Sequence, residues 1–254
     1  QEKVLILNKK HSGMEHPHTL VTMDNLSAIL ADQGDFVNAR KLQEQVLEIR
    51  KKTVGEEHPS TIIVLDNLAQ TIKKQGDLTT ARRFQEELVK KCKLIFGDDH
   101  PHTLTAMNNL ADTLRVQGDL IRAQILQEKV MERMKIVFGE EHPKTLTAMN
   151  NLSLTLHSQR NFKGALKLLE HVFIVSKKNL GENHPDTLSA MNNLGDLLRE
   201  TGDLDRARTL QEELLVRTTN ILGDEHPLTM TAMSNLALSL QSLGDIINAR
   251  KLLE

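Results

Sequence analysis

The chain has 254 residues with no Trp, no Tyr and six Phe, so its core has to be built from Leu, Ile, Val, Met and Ala. The formal net charge is −2, and charges of both signs are spread along the chain, which argues against a general nucleic-acid or membrane-surface binder. Cys92 is the only cysteine, which excludes an internal disulfide and a cysteine zinc cluster and favours a cytoplasmic setting. No apolar run approaches the length of a membrane span.

The sequence repeats with a fixed period of 42 residues. In every period a glycine precedes a His-Pro dipeptide, and an Asn-Leu step follows at a constant distance. The glycines are Gly13, Gly55, Gly97, Gly139, Gly181 and Gly223, and the recurring asparagines are Asn25, Asn67, Asn109, Asn151, Asn193 and Asn235. A fixed period of roughly 20 to 50 residues indicates a solenoid, a propeller or another array of structural repeats.

Each period predicts two helices, as the third period shows. Pro101 marks the expected start of a first helix of roughly 15 residues, and Gly118 marks its end. Asp119 is the expected N-cap of a second helix of roughly 18 residues, which stops before Gly139. Between these positions the apolar residues recur every three or four residues, which is typical of amphipathic helices, and strand signals are absent.

A single pair of amphipathic helices cannot bury its own apolar surface, whereas stacked pairs share a continuous core, so the period predicts an all-α fold, an α-solenoid. We expect one array over residues 1–254. It would comprise a half-unit at 1–12, five units at 13–54, 55–96, 97–138, 139–180 and 181–222, and a truncated unit at 223–254. Both ends fall inside predicted helices, Gln1 to about His11 and Asp245 to Glu254, so we expect the array to belong to a longer protein.

The repeat resembles a known family. The segments LTAMNNLA at 104–111, QGD at 117–119 and FGEEHP at 138–143 are similar to the 42-residue tetratricopeptide repeat of kinesin light chains and their bacterial and fungal relatives. The resemblance covers the whole chain in six copies. It implies a right-handed superhelix of helix-turn-helix repeats in which the first helix of each repeat lines a concave groove that holds peptides.

The recurring asparagine allows two interpretations. Asparagine is a mediocre helix former, so its return in every first helix needs a reason. In the first interpretation the amides tie neighbouring first helices together and contact no ligand. In the second they pair with the backbone of an extended peptide, because an amide both donates and accepts hydrogen bonds. The candidate peptide-binding asparagines are Asn67, Asn109, Asn151 and Asn193, with Asn108, Asn150 and Asn192 beside them.

Peptide specificity has to come from positions that vary between repeats. Six residues after the recurring asparagine the four middle repeats have basic or titratable side chains, which we call the basic row: Lys73, Arg115, His157 and Arg199. As single residues these are ordinary solvated charges. As a row in the groove they suggest a peptide with some acidic residues.

No catalytic, metal or cofactor site is expected. The sequence has no phosphate-binding loop, no His-Glu-x-x-His motif and no Gly-x-Ser-x-Gly motif. The histidine before each proline is separated from the next by a whole repeat, so these histidines cannot share one metal ion. Their expected task is to hold the connector by hydrogen bonds ahead of the first helix. The position of Cys92 is occupied by a different residue type in each of the other repeats, so we expect it to form no catalytic dyad.

The fourth repeat differs from the others at two places. It has Arg160-Asn161 where the others have Gly-Asp, so a residue with a side chain is expected in a left-handed backbone conformation there. Its second helix contains the apolar run 172–175, which is either additional core or a surface patch for a partner domain or a second copy of the chain. The ends of the array are a further possible site of oligomerisation.

The function that we infer from the sequence is a non-catalytic scaffold that binds an extended peptide of a partner protein, with no nucleic acid, membrane or small-molecule substrate. The alternative is a regulatory or sensor arm of a larger signalling enzyme, an ATPase or a protease, that controls it by binding a partner or by oligomerisation.

Overall fold

The computed structural model describes residues 2–253, and within that range the side chains of Glu2 and Lys9 are not described. The described residues form helices and contain no strand, so the prediction of an all-α fold is confirmed. Gln1 and Glu254, which the sequence placed in the terminal helices, lie outside the described residues. The helices are α1 (Glu2–Ser12), α2 (Pro17–Asp32), α3 (Phe36–Thr53), α4 (Pro59–Lys74), α5 (Leu78–Phe96), α6 (Pro101–Val116), α7 (Leu120–Phe138), α8 (Pro143–Ser158), α9 (Phe162–Leu180), α10 (Pro185–Glu200), α11 (Leu204–Leu222), α12 (Pro227–Ser242) and α13 (Ile246–Leu253).

Each first helix, α2 to α12 in even numbers, begins at the proline of a His-Pro pair. The preceding histidine is the N-cap, and its ring accepts a hydrogen bond from the backbone N–H two residues later. In α6, for example, Nδ1 of His100 lies 3.2 Å from the backbone nitrogen of His102. Proline suits the first helical position because it has no N–H to leave unsatisfied. The expected task of the recurring histidine is therefore confirmed.

The turn from first to second helix depends on a left-handed residue and a capping side chain. Gly118 has a φ of 85° in the third repeat, and Asp77 in the second accepts from the backbone N–H of Thr80 at 3.1 Å. In the fourth repeat Arg160 takes the glycine position with a φ of 61°, the one positive φ of a non-glycine residue between residues 2 and 253. The prediction of an unusual turn there is confirmed.

The chain divides into two compact units, Gln1–Leu126 and Gln127–Glu254, with the division inside α7. In the first unit, helices α1 to α6 each pack against the next one in sequence, and the first helices α4 and α6 also contact each other directly. The core between them is built mainly from Met23, Leu65, Leu68, Ile72 and Leu88, whose side chains are almost completely buried. The helix pairs of this unit thus stack in sequence order.

The second unit has the same internal arrangement. Its helices α8 to α13 pack in sequence order, and the first helix α10 contacts both α8 and α12. Leu152, Leu169 and Leu198 lie in one buried cluster, and Leu188 and Leu214 lie in another. Stacked helix pairs with a shared core are the α-solenoid arrangement that the period predicted. None of the helices in the described part of the chain combines the length and the apolar character that a membrane span requires.

Candidate functional site

Two adjacent positions recur on the exposed side of the first helices. One is the recurring asparagine. The other is the residue just before it, which we call the acceptor column: Asp24, Asp66, Asn108, Asn150, Asn192 and Ser234. The residue after each recurring asparagine is a leucine, and these leucines, such as Leu68 and Leu194, are buried. Asn67 is exposed and Asn109, Asn151 and Asn193 are partly exposed, so helix periodicity places these amides at the edge of the core rather than inside it.

The recurring asparagine joins neighbouring first helices through the acceptor column. Within the first unit, Nδ2 of Asn109 donates to Oδ1 of Asp66 at 3.2 Å. Within the second unit, Asn193 donates to Asn150 at 3.0 Å and Asn235 donates to Asn192 at 3.1 Å. Each of these bonds spans 43 residues, one period plus one position. The first interpretation of the sequence, a link between helices, is thus present in the structure.

This link leaves hydrogen-bonding capacity on the same side chains. An amide has two N–H groups and an oxygen that can accept two hydrogen bonds, and the bond between helices engages one N–H. Within the described residues the side-chain oxygens of Asn109 and Asn193 accept no hydrogen bond, and Oδ1 of Asn108 is buried and has no partner. The side chain of Asn67 makes no hydrogen bond within the described part of the chain, and it is exposed.

Every member of the basic row contacts a carboxylate of the chain. In the first unit, Lys73 contacts the carboxylate of Asp112, and Arg115 donates to the same carboxylate at 2.7 Å. Burial acts to raise the pKa of Asp112, but the hydrogen bonds and charges of Lys73 and Arg115 outweigh it and hold that pKa below its ordinary value. Asp112 is therefore a carboxylate shared by two cations on adjacent first helices.

The second unit pairs its members of the basic row in the same way. Nε2 of His157 lies 2.7 Å from Oε2 of Glu200, one repeat further on. Arg199 donates to Asp196 at 2.6 Å and has Glu200 at 3.8 Å. The sequence interpretation of the row as a site for an acidic peptide stays a prediction, and these contacts show which groups such a peptide would meet there. Lys73, Arg115 and Arg199 each have a carboxylate partner within the chain, and the ring of His157 lies within hydrogen-bond distance of one.

Cys92 lies in the core of the second repeat and is 1% exposed. Burial and, to a smaller extent, the charge of the Asp66 carboxylate together raise the pKa of its thiol to about 11. A thiol with such a pKa is almost entirely protonated at neutral pH and is a poor nucleophile. No group of three or more His, Cys, Asp and Glu side chains among the described residues is arranged to hold a metal ion.

The apolar run 172–175 is only partly a surface patch. Val172 and Val175 are buried in the core of the second unit, whereas Ile174 is 63% exposed and Phe173 is partly buried. Phe173 and Ile174 line an open cavity of about 590 Å³ between the second helices α9 and α11. Val172, Val175 and most of Phe173 thus belong to the core, and Ile174 is the residue of the run that is exposed; a role of the run in binding a partner or a second copy stays a prediction.

We did not predict from the sequence that the acceptor column accepts hydrogen bonds from the next repeat. Asn108, Asn150 and Asn192 were predicted as ligand-binding residues, and the structure shows that Asn150 and Asn192 accept bonds from the next repeat. Asp66 was not among the predicted site residues, although it occupies the same column. The 42-residue period contains the signal, because a polar residue stands before the recurring asparagine in every repeat.

The family follows from these repeats and from comparison with known proteins. A family model described as tetratricopeptide repeat matches residues 18–91, 67–135, 103–173, 160–215 and 186–254. The chain belongs to the tetratricopeptide repeat family. No curated protein matches this tetratricopeptide repeat chain.

Solved structures show which tetratricopeptide repeat proteins the chain is similar to. A putative kinesin light chain from Podosopora anserina with nearly identical TPR-like repeats is 26% identical, with a TM-score of 0.66 over 82% of this chain and 99% of that one. BtubC (BKLC) from P. vanneervenii is 22% identical, with a TM-score of 0.65 over 92% of this chain and 85% of that one. The resemblance to kinesin-light-chain-like repeats is confirmed.

A more distant structural neighbour has the same fold. Rap protein complexed with Competence and Sporulation Factor is 10% identical, with a TM-score of 0.67 over 98% of this chain and 80% of that one. At this identity the similarity shows the fold alone. Tetratricopeptide repeats form protein-interaction scaffolds, so the family indicates that the partners of this chain are proteins.

Proposed function

We propose that this chain is a non-catalytic scaffold that holds an extended peptide of a partner protein along its first helices. The observation that supports this most is the recurring asparagine, whose amide uses one N–H between helices and keeps further donors and acceptors for a ligand. An extended peptide presents one N–H and one C=O per residue, so amides repeated along an array can hold its backbone regardless of its sequence.

The ion pairs of the basic row bear on which peptide is bound. Because Lys73, Arg115, His157 and Arg199 are each paired with a carboxylate of the chain, an acidic peptide would have to compete with those partners. The bonds between helices engage one N–H of Asn109 and of Asn193, so a peptide backbone can pair with the second N–H and the oxygen of each amide without breaking those bonds. The structure of Rap with Competence and Sporulation Factor supports the proposal, since a protein of this fold was solved with a bound factor.

Selection from a library of random twelve-residue peptides, followed by fluorescence anisotropy of the selected peptides, tests this function. Asn67→Ala is the sharpest variant, because the Asn67 side chain is exposed and makes no hydrogen bond within the described residues that its loss would break. We expect Asn67→Ala to weaken binding of selected peptides several-fold while the thermal midpoint stays unchanged. Unchanged affinity in both Asn67→Ala and Asn109→Ala would contradict the proposal.

The matched control is Asn220→Ala, at an exposed position on the second helix α11. It removes the same kind of side chain from a second helix instead of a first helix, and we expect it to leave peptide affinity at the native value. An equal loss in Asn67→Ala and Asn220→Ala would show that the peptides do not bind to the first helices.

A further inference from the structure

The first two members of the acceptor column are carboxylates, but only the first has a cation beside it. Asp24 contacts Arg50 of α3, with 2.5 Å between Oδ2 and the guanidinium. Arg50 is almost fully buried and also donates to the backbone oxygen of Ser60 at 2.7 Å. Asp24 thus has an internal counterion, which lies 26 residues further along the chain.

The corresponding residue for Asp66 is neutral. Counting the same 26 residues on from Asp66 leads to Cys92 instead of an arginine. In the next three repeats the acceptor column is the uncharged Asn108, Asn150 and Asn192, and the residues 26 positions later are the uncharged Met134, Ser176 and Thr218. The second repeat therefore keeps the acid of the first repeat without its counterion.

The surroundings of Asp66 supply hydrogen bonds but no paired cation. Oδ1 accepts from Asn109 at 3.2 Å, and none of the ion pairs within residues 2–253 involves this carboxylate. Lys73, seven residues further along α4, is paired with Asp112. Burial raises the pKa of Asp66, and the Asn109 bond, the Gln70 amide and the more distant His102 only partly oppose this rise. Burial also raises the pKa of Asp24, although the charge and hydrogen bond of Arg50 oppose this rise, so the two carboxylates differ in their partners and not in the direction of their pKa shift.

An ionised, partly buried carboxylate without a counterion is unfavourable, and a cationic ligand group would remove that cost. Asp66 is partly exposed on the side of α4 that also presents Asn67, and Ile63, one turn earlier, is 50% exposed. Lysine and arginine bury their aliphatic stems on apolar surface while their charged ends reach a carboxylate. Ile63 and Asp66 together match both parts of such a side chain.

We propose that Asp66 is a specificity-determining residue that binds a lysine or arginine side chain of the peptide. This inference rests on the proposed function, since it assigns one side-chain preference to a peptide held on the first helices. The ammonium or guanidinium group donates a charge-assisted hydrogen bond to the oxygen of Asp66 that Asn109 does not use. The aliphatic stem covers Ile63, and Asn67 holds the adjacent backbone.

The test compares peptides selected by the native chain and by three variants. Asp66→Asn removes the charge and keeps an acceptor for Asn109, because an asparagine accepts the equivalent bond at Asn150. Cys92→Arg restores the internal counterion found at Arg50. Glu57→Gln is the control, because it removes one negative charge from an exposed position of the connector in the same unit. Circular dichroism establishes whether each variant is folded. If Cys92→Arg does not fold, Asp66→Asn alone tests the proposal.

We expect peptides selected on the native chain to have Lys or Arg at one fixed position, and Asp66→Asn to bind them about 10- to 100-fold more weakly. Cys92→Arg should lose the same preference, and Glu57→Gln should keep it. If Asn67→Ala weakens every selected peptide but Asp66→Asn binds them with native affinity, this inference is wrong and the proposed function stands. If the native chain selects no peptide, both are wrong.

Discussion

The Asn193 amide donates to Oδ1 of Asn150 at 3.0 Å and so joins the first helices α10 and α8. A residue that was predicted to face a ligand therefore also contributes to the packing of one repeat on the next. Hydrogen bonds of this kind contribute about 1 kcal/mol to stability, because they replace bonds to water. The two roles of the asparagine can be separated by measuring stability and binding in the same variants.

The link between helices predicts a measurable coupling between its two residues. We expect Asn193→Ala and Asn150→Ala each to lower the free energy of unfolding by about 1 kcal/mol. In a double-mutant cycle by urea denaturation, the double variant should lose less than the two single losses added together, because one bond is lost in all three. Strict additivity would indicate that the bond does not contribute, and Asn220→Ala should have a native free energy of unfolding.

Buried glutamines in the second helices predict an unusual stabilising substitution. Oε1 and Nε2 of Gln85 are both buried and have no hydrogen-bond partner among the described residues. Two periods later the same position is Leu169, which is 2% exposed. Since an unsatisfied buried amide costs about 1 to 3 kcal/mol, we expect Gln85→Leu to raise the free energy of unfolding by an amount of that order.

The reverse exchange, Leu169→Gln, is the matched control for Gln85→Leu. It introduces an amide into the apolar cluster that includes Leu152 and Leu198, and we expect it to lower the thermal midpoint. A decrease in the midpoint of Gln85→Leu would instead indicate that the glutamine amide has partners, such as ordered water, in solution.

The turn of the fourth repeat predicts a second stabilising substitution. Arg160 has a φ of 61°, a conformation that costs a residue with a Cβ about 1 kcal/mol. Arg160→Gly should therefore raise the free energy of unfolding by up to about 1 kcal/mol. In the next repeat Gly202 has a φ of 88°, and a Cβ added there would meet no atom within 4 Å, so Gly202→Ala should have the opposite effect for conformational reasons alone. Thermal melting that moves both variants in the same direction would contradict this explanation.

The unpaired carboxylate of Asp66 predicts a pH-dependent effect on stability. Because burial raises its pKa in the folded state, the folded chain loses stability as pH rises from the ordinary aspartate value of 3.8 through the raised value. Asp66→Asn has no proton to lose there. We expect this variant to melt at a higher temperature than the native chain at pH 7 and at the same temperature near pH 3, where Asp66 is protonated in both states.

Asp112→Asn is the control with the opposite sign. Lys73 and Arg115 hold the pKa of Asp112 below its ordinary value, so its stabilising effect is present above pH 4 or so and is lost as pH falls through the lowered value. We expect Asp112→Asn to melt below the native chain at pH 7, with a difference that shrinks in acid. Parallel pH profiles for Asp66→Asn and Asp112→Asn would rule out the different environments assigned to these two carboxylates.

The helix positions were predictable because the residues that determine them are local. His-Pro fixes the start of each first helix, and Gly118 with Asp119 fixes the turn to the second, all within a few residues of sequence. The contacts between repeats were not predictable in the same way. The pairing of Lys73 with Asp112 joins residues 39 apart, and periodicity does not reveal which carboxylate a flexible lysine reaches.

The sequence also could not predict which residues of one apolar run are buried. Val175 and Ile174 are adjacent, have similar side chains and both belong to the run 172–175, yet the first is buried and the second is 63% exposed. Helix geometry turns successive residues by about 100°, so their burial depends on where the neighbouring helices pack. The difference between Asp24 and Asp66 could have been found from the 42-residue period, by comparing Arg50 with Cys92.

Photocrosslinking gives the most direct test that a partner peptide lies along the first helices. Thr105 is exposed on the first helix α6, one turn before Asn108 and Asn109, and Leu94 is exposed on the second helix α5 of the same unit. Each is replaced in turn by p-benzoylphenylalanine, and a labelled peptide selected by the native chain is irradiated with each variant. We expect crosslinking at position 105 and none at position 94. Crosslinking at 94 with none at 105 would place the peptide on the second helices and contradict the proposed function.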